Sequence, residues 1–459
     1  MTVLTVTRAP RSIHPSWRAL ATALGGNALG AFPAEAFEEE VVIHRLFGRA
    51  QFILNHPDAI RHVLVENAGN YLLPAPTIRV LRPIFGSGLF LSSGEEWKRQ
   101  RRTVAPAFAL RAVRILASHV AAAANTLVAQ LEAADGGPVQ LVPVLQRLAL
   151  EIIGSAMFSL QMQKYGAAMR ELILRYAARL GRPTLMDFLL PAEIPTPYDL
   201  ARRRFRKRWQ ALVERIIAER QLDGGGASQR DLFDLLVGAE SAGSDAVAER
   251  LADQVATIIV AGHETTAAAL FWSLYLLALS PGAQRLVADE AETVDLAPAG
   301  AVEAVGALTR TRAAVDEALR LYPPAFVIVR QAVAADIAAG IPIPARSLIL
   351  IAPWVLHRHR RLWTEPETFD PSRFLPSAPP PPRFAYLPFG IGPRTCIGAQ
   401  FALTELVLVI ATIVRAFQIE LAERRTVRPV GIVSTQPENP PPFLLRPRRN
   451  SAKAASLCL

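Results

Sequence analysis

The sequence predicts a single large, mainly helical domain with small β subdomains, and three observations predict it. The 459 residues are 51% hydrophobic and 20% charged, enough apolar material for one large core, and no linker divides them. Aromatics make up only 7% while alanine, leucine and arginine abound, a composition that favours helices over strands. Apolar residues recur at three- and four-residue spacing from Ala107 to Val237, whereas short β-branched runs gather past Pro323-Pro324.

The elements follow in order. The expected domain spans 1–459, with residues 1–30 and 450–459 peripheral. The best N-terminal apolar stretch, Ala19 to Phe32, is short and broken by Gly25, Gly26, Asn27 and Gly30. A spanning helix needs roughly 20 apolar residues and a signal peptide its three-part layout. The expectation is therefore no membrane anchor and a cytoplasmic address. Cys396 and Cys458 are the two cysteines, too few for a disulfide framework, and Cys458 sits in a basic, serine- and alanine-containing tail.

Val41 to Arg45 and Gln51 to Leu54 read as strands flanking a turn at Gly48. A helix then starts at Asn55-His56-Pro57-Asp58, with Asn55 or His56 as cap and Pro57 in the first turn. Helices follow from Ala107 to Val237, punctuated by Asp135-Gly136-Gly137-Pro138 and Gly224-Gly225-Gly226. One long helix runs from Ser244 to Ser280, capped by Ser244 or Asp245 and closed by Pro281. Its second half, Ala267 to Leu279, is apolar on nearly every face, which places it in the protein's centre. Val327 to Val333, Ile337, Ile341 to Ile343 and Ser347 to Ile351 read as short strands, and residues 365–388 as a proline-rich irregular stretch. Cys396 is expected to open a last strong helix through Phe417.

The formal charge of +10 comes from scattered groups: Arg202, Arg203, Arg204, Arg206, Lys207 and Arg208; Lys98, Arg99, Arg101 and Arg102; Arg358, Arg360 and Arg361; Arg446, Arg448 and Arg449. No helix-turn-helix, zinc-finger or RNA-binding signature accompanies them, so nucleic acid is not the expected partner. Most are expected on solvated helix faces. The functional alternative is steering of an acidic protein partner.

The segment that carries chemistry is Phe389-Gly390-Ile391-Gly392-Pro393-Arg394-Thr395-Cys396-Ile397-Gly398. A cysteine at the mouth of a helix meets positive potential and free amide protons, which lower a thiol's pKa. Gly398 removes a side chain where a flat cofactor would approach the backbone. Arg394 can neutralise an anionic edge of that cofactor, and Phe389 supplies an aromatic wall on the sulfur side. A structural cysteine in a helix cap and a nucleophilic Cys-His site are the rival readings.

A second motif, Ala261-Gly262-His263-Glu264-Thr265-Thr266, lies in the long helix. An acid and two threonines in apolar surroundings are costly without a task. Threonine can divert a backbone carbonyl and open the helix locally, leaving a groove for a small molecule. A satisfied buried polar pair is the bland reading. A metalloprotease reading fails because Ala267 stands where a second histidine is required. Further on, Glu317 and Arg320 share a helix face, as do Trp97 and Arg101.

The cysteine segment fills every fixed position of F-x-x-G-x-R-x-C-x-G, and so resembles the haem-binding signature of the cytochromes P-450. The likeness extends in order over nearly the whole chain. It implies a P-450 fold, with the long helix over a haem b whose iron takes Cys396 as axial ligand. Ala261-Gly262-x-Glu264-Thr265 resembles the family's oxygen-activating stretch. There Thr265 would hydrogen-bond to dioxygen, Glu264 would relay protons, Ala261 and Gly262 would leave room above the haem, and His263 would face away. Glu317 and Arg320 are similar to the family's E-x-x-R pair, joined by Arg373 from Asp370-Pro371-Ser372-Arg373-Phe374 in a structural network. The resemblance makes Trp97, Arg101, Arg394 and Arg330 partners of the haem propionates. Arginine suits this because its fork donates paired hydrogen bonds.

The implied reaction is RH + O2 + two electrons + two protons giving ROH + H2O. No flavin or nicotinamide signature follows Cys396, so the resemblance implies a separate ferredoxin (or flavodoxin) and its reductase, docking at Lys98, Arg99 and Arg102. Peroxide-driven chemistry, a haem sensor or electron carrier, and a non-hydroxylating oxidation such as coupling or desaturation stay open as alternatives. The stretch from Leu72 to Phe90 and that from Ala325 to Val329 would line the pocket by likeness. Pro74, Ile78, Leu81, Phe326, Val327 and Val329, with Ala261, point to a lipophilic substrate, open between fatty acid, terpenoid, steroid and aromatic.

Overall fold

A computed structural model of the chain describes residues 26–46, 49–134, 136–160, 162–190, 194–222, 232–239 and 245–448. The helices that bear on the site are α1 (Pro57–Arg61), α2 (Ala75–Phe85), α3 (Gly94–Val104), α4 (Leu110–Ala133), α5 (Leu141–Phe158), α6 (Gln163–Arg175), α7 (Pro197–Leu222), α8 (Asp245–Leu279), α9 (Thr309–Leu321) and α10 (Ala399–Ala416), with further helices between them. The expected cap at Ser244, the turns at Gly48 and Gly224-Gly225-Gly226, and Cys458 lie outside the described residues. At the start of α1 the choice between two caps falls to His56, whose Nδ1 accepts from the Asp58 amide at 3.2 Å.

The strands are β1 (Val41–Leu46), β2 (Arg49–Leu54), β3 (Tyr71–Leu72), β4 (Ile328–Ala332), β5 (Asp336–Ala338), β6 (Ile341–Ile343), β7 (Leu348–Ile351), β8 (Phe417–Leu421), β9 (Arg428–Gly431), β10 (Thr435–Glu438) and β11 (Phe443–Pro447). Five of them form a sheet in the order β1-β2-β7-β4-β3, and β5–β6, β8–β11 and β9–β10 pair as antiparallel ribbons. In the large sheet β2 and β7 run parallel, with Phe52 opposite Ile349. The β-branched runs past Pro323-Pro324 thus supply four short strands, as their composition predicted.

The centre of the molecule is α8, 35 residues long, which packs against α5, α9, α10, α7 and α2. Its second half is buried almost throughout, Leu270, Trp272, Leu274 and Leu276 among the residues, as its all-round apolar pattern requires. Three helical stretches, Leu141–Phe158, Arg250–Leu279 and Ala399–Ala416, are long and apolar enough to cross a bilayer, yet 67–72% of each apolar window is buried inside the protein.

Polar bonds fix the rest of the fold around α8. Trp272 Nε1 donates to the Thr435 carbonyl at 2.9 Å. Thr435 Oγ1 donates in turn to the Pro323 carbonyl at 2.6 Å, and its amide to Pro324 at 3.1 Å. Helix, β10 and the Pro323-Pro324 corner are therefore one locked unit.

Two basic residues expected on solvated faces are instead buried. Arg202 forks onto Asp187 at 2.7 and 3.0 Å. Arg358 lies with its guanidinium carbon 3.7 Å from the Trp354 ring centroid and donates to the Leu321 carbonyl. A bidentate carboxylate in one case, and an aromatic face with a carbonyl in the other, offset the loss of hydration.

Candidate active site

The cysteine loop is held from its backbone. The Cys396 amide donates to the Phe389 carbonyl at 2.9 Å, and the Thr395 hydroxyl points to the same oxygen. Gly392 has φ +76°, and a Cβ there would stand 2.0 Å from the Leu64 carbonyl oxygen. Glycine is required at 392 by this contact and its left-handed backbone. At Gly398 a Cβ would meet the Phe108 ring at an ordinary 3.5 Å, so the protein's own packing does not demand glycine there.

One expectation about the cysteine is corrected. Cys396 does not open the last helix: α10 begins at Ala399, with Gly398 at its cap position. Burial pushes the thiol up, while the Gly398 amide and the Arg101 charge pull it down without cancelling that effect. The side chain nevertheless remains accessible, as fits a group on the inner wall of a protein chamber. A thiol held up in this way ionises on meeting a metal ion, because coordination deprotonates it outright.

Three arginines converge beside it. The Arg394 guanidinium lies 4.8 Å from the Trp97 ring centroid and Arg101 lies 5.6 Å from it. Arg394 also donates to the Ser92 carbonyl at 2.6 Å. Arg330, on β4, donates to its neighbour's carbonyl at Val329. Its pKa is pushed down to about 10, by burial first and by the Arg394 charge second. Among the described residues none of the three has a carboxylate within ion-pair distance. Cations gathered in this way call for an anionic ligand. The two carboxylates of a haem meet that need, so the residues present fit the group.

On α8, Ala261 is exposed although Ile259, Val260 and His263 around it are buried. It therefore faces an interior surface rather than bulk solvent. Thr265 Oγ1 donates to the Ala261 carbonyl at 2.5 Å, the diverted bond expected of it, while the helix stays continuous. Gly262 is corrected: a Cβ there would stand 2.5 Å from Ile153 Cδ1, so this glycine lets α5 pack closely and does not make room at the interior face. Glu264 accepts from Gln436 Nε2 at 3.1 Å, and burial raises its pKa to about 7. His263 is buried, lowered to about 4 by desolvation, and acts as a packing residue.

A profile of the family described as Cytochrome P450 matches residues 27–445. The chain belongs to the cytochrome P450 family. It is 31% identical over 87% of its length, and 87% of the relative's, to cyclooctatin synthase of Streptomyces melanosporofaciens. It is likewise 31% identical to cyclooctat-9-en-7-ol 5-monooxygenase of the same organism, over 88% of this chain and 85% of that one. The haem domain of cytochrome P450DA superposes with a TM-score of 0.78 at 24% identity, covering 97% and 98% of the two chains. This P450 is accordingly a haem-dependent, O2-using monooxygenase that acts on a small molecule with electrons from redox partners.

The P450's remaining motif residues meet as expected, with additions. Arg320 forks onto Glu317 at 2.6 and 2.8 Å, and Arg373 Nε approaches the same carboxylate to 3.5 Å. His357, which the sequence did not single out, completes the network. Its Nδ1 lies 3.1 Å from the Arg320 carbonyl and its Nε2 accepts from the Leu387 amide at 2.8 Å. No local pattern marks it, since it works through backbone groups remote in sequence.

The pocket expectations divide. The stretch from Leu72 to Phe90 contains α2 rather than a plain loop, with Pro83 inside the helix. Phe326 is 5% exposed and packs beside Gly431 and Leu29, so it belongs to the core and not to a pocket wall. Val327 and Val329 are half-buried and Ala325 is exposed. Ile328 approaches the position of a Gly390 Cβ to 3.7 Å, which brings β4 alongside the cysteine loop. Gln436, missed in the sequence, reaches the acid on α8 from the β9–β10 ribbon, with Ser434 accepting from its amide.

Proposed function

We propose that this P450 inserts one atom of O2 into a lipophilic small molecule, binds haem b, and takes two electrons from a separate ferredoxin (or flavodoxin) and its reductase in the cytoplasm. The observation that carries the reading is α8 at Ala261: a small residue on an interior face, one turn from a threonine hydroxyl and beside an acid that holds its proton near neutrality.

When bound, a thiolate-ligated haem supplies O–O bond cleavage. Cys396 would hold the iron through its sulfur, with Phe389, Gly392 and Gly398 in the loop that presents it. Arg101 and Arg394, ordered around Trp97, and Arg330 beside Arg394 would hold the two propionates. Thr265 presents a hydroxyl that can release its bond to the Ala261 carbonyl and turn into the site. Glu264, protonated in about half the molecules near pH 7, can give up a proton there and regain one from solvent. Val327, Ile328 and Val329 present apolar side chains, which exclude water and favour a hydrocarbon skeleton. The relative named for cyclooctat-9-en-7-ol, by that name an unsaturated alcohol, supports the same substrate character. Lys98, Arg99 and Arg102, exposed on α3, support docking of an acidic electron carrier.

Spectral titration of the purified haem protein with lipophilic compounds tests the reading, with Cys396→Ser as control. A saturable shift of the haem absorption by uncharged compounds is expected, together with loss of the thiolate-type carbon-monoxide band in the variant. An unchanged band in Cys396→Ser overturns the ligand assignment, and a response confined to charged compounds overturns the substrate class.

A further inference from the structure

We propose that Gln436 is a positioning residue for proton delivery: from β10 it holds the Glu264 carboxyl so that Oε2 is engaged and Oε1 is left to carry the proton. The inference rests on the reading of Glu264 as the acid serving Thr265.

Gln436 Nε2 donates to Glu264 Oε2 at 3.1 Å and to Ser434 Oγ at 2.7 Å. Both amide hydrogens are thereby used, and an amide nitrogen cannot accept. Oε2 must therefore be the acceptor in this bond, and a proton on the neutral carboxyl resides on Oε1. That atom is buried without a hydrogen-bond partner. His263 Nδ1 stands 3.9 Å from it, too far to bond and itself unpartnered. Arg170 on α6 is the charged group that acts on the carboxyl, alongside the neutral His263.

The holder is rigid. Gln436 follows Thr435, which is tied to Trp272 on α8 and to Pro323 and Pro324. Trp272 lies eight residues beyond Glu264, so ribbon and helix are pinned two turns from the point where Gln436 reaches the acid. Delivery breaks the O–H bond at Oε1, the proton passes into the site, and the carboxylate left behind keeps the Gln436 N–H as donor until solvent reprotonates it. A donor to the charged form stabilises that form, so Gln436 both selects the oxygen and eases the departure of the proton.

The test compares Gln436→Leu and Glu264→Gln in the haem-loaded protein by two readouts. Infrared titration of the carboxyl band that Glu264→Gln abolishes reports the protonation midpoint without turnover. Loss of the charge-assisted donor should raise that midpoint in Gln436→Leu by about one pH unit or more. Product formed per reducing equivalent should fall at least twofold, with the carbon-monoxide spectrum unchanged. If Gln436→Leu fails to hold haem, Gln436→Asn withdraws the amide by one methylene and takes its place. A midpoint equal to that of the parent overturns the proposal, as does unchanged yield in Gln436→Leu when Glu264→Gln has lowered it. Unchanged yield in Glu264→Gln itself overturns the acid's assignment and the proposal with it.

Discussion

Glu317 and Arg320, one turn apart on α9 and without solvent exposure, form a fork-to-fork pair with bonds of 2.6 and 2.8 Å. Every N–H of the guanidinium is spent: the others donate to the carbonyls of His357, Pro366 and Thr368. This cation therefore nails α9 to the irregular segment after β7. Arg320→Leu strips a buried carboxylate of its two guanidinium bonds, leaving it the Asp370 amide and the more distant Arg373, and takes the same donor from three carbonyls; it should cost about 3–5 kcal/mol. Chemical unfolding should show the loss, together with a lowered haem-to-protein ratio. A variant as stable as the parent would remove the network's structural role.

Gly392→Ala should be damaging out of proportion to one methyl group. The added Cβ meets the Leu64 carbonyl at 2.0 Å and φ is +76°, so either the cysteine loop or the segment at Leu64 must move. We expect a destabilisation of about 2 kcal/mol or more and reduced haem retention, read from absorbance per protein. By contrast, Gly398→Ala meets only ordinary contact in the protein itself. Full haem retention in Gly392→Ala would contradict the steric argument.

Glu264 ties stability to pH. Burial raises its pKa from the ordinary 4.5 to about 7, so the folded state binds a proton more tightly than the unfolded chain. That contribution is fully present below about pH 4.5 and is lost as pH rises through 7. Glu264→Gln lacks this titration. Between pH 4.5 and 8 the parent should therefore lose about 3 kcal/mol relative to the variant, measured as the difference of their urea unfolding free energies. Equal pH dependence in the two proteins would show that the carboxyl is not desolvated.

On α3, Lys98 and Arg99 already pair with Glu95 and Glu96 at 2.6 and 2.8 Å, whereas Arg102 is exposed, donates to the Lys98 carbonyl and, among the described residues, has no carboxylate within ion-pair distance. Charge reversal should therefore weaken docking of an acidic carrier most at Arg102. Arg102→Glu is expected to slow reduction by ferredoxin several-fold at low salt and to flatten the salt dependence, with the carbon-monoxide spectrum intact. Stopped-flow reduction at several ionic strengths decides it; a rate independent of both charge and salt would place docking elsewhere.

The sequence by itself determined the helical class, the cysteine segment, the acid–threonine pair and the Glu317–Arg320 pair. The class follows from composition and periodicity, and each of the others is a contiguous run or a one-turn spacing, and so is visible as a local motif that resembles the family's pattern. Only the tertiary structure decided that Arg202 and Arg358 are buried, that Gly262 serves α5, that Phe326 is core, and that the Cys396 thiol is raised rather than lowered. It alone brought Gln436 to Glu264 across 172 positions, and three arginines from α3, β4 and the cysteine loop to one place. Desolvation and the approach of residues remote in the chain arise from packing, and packing is set by the whole core at once rather than by any segment of it.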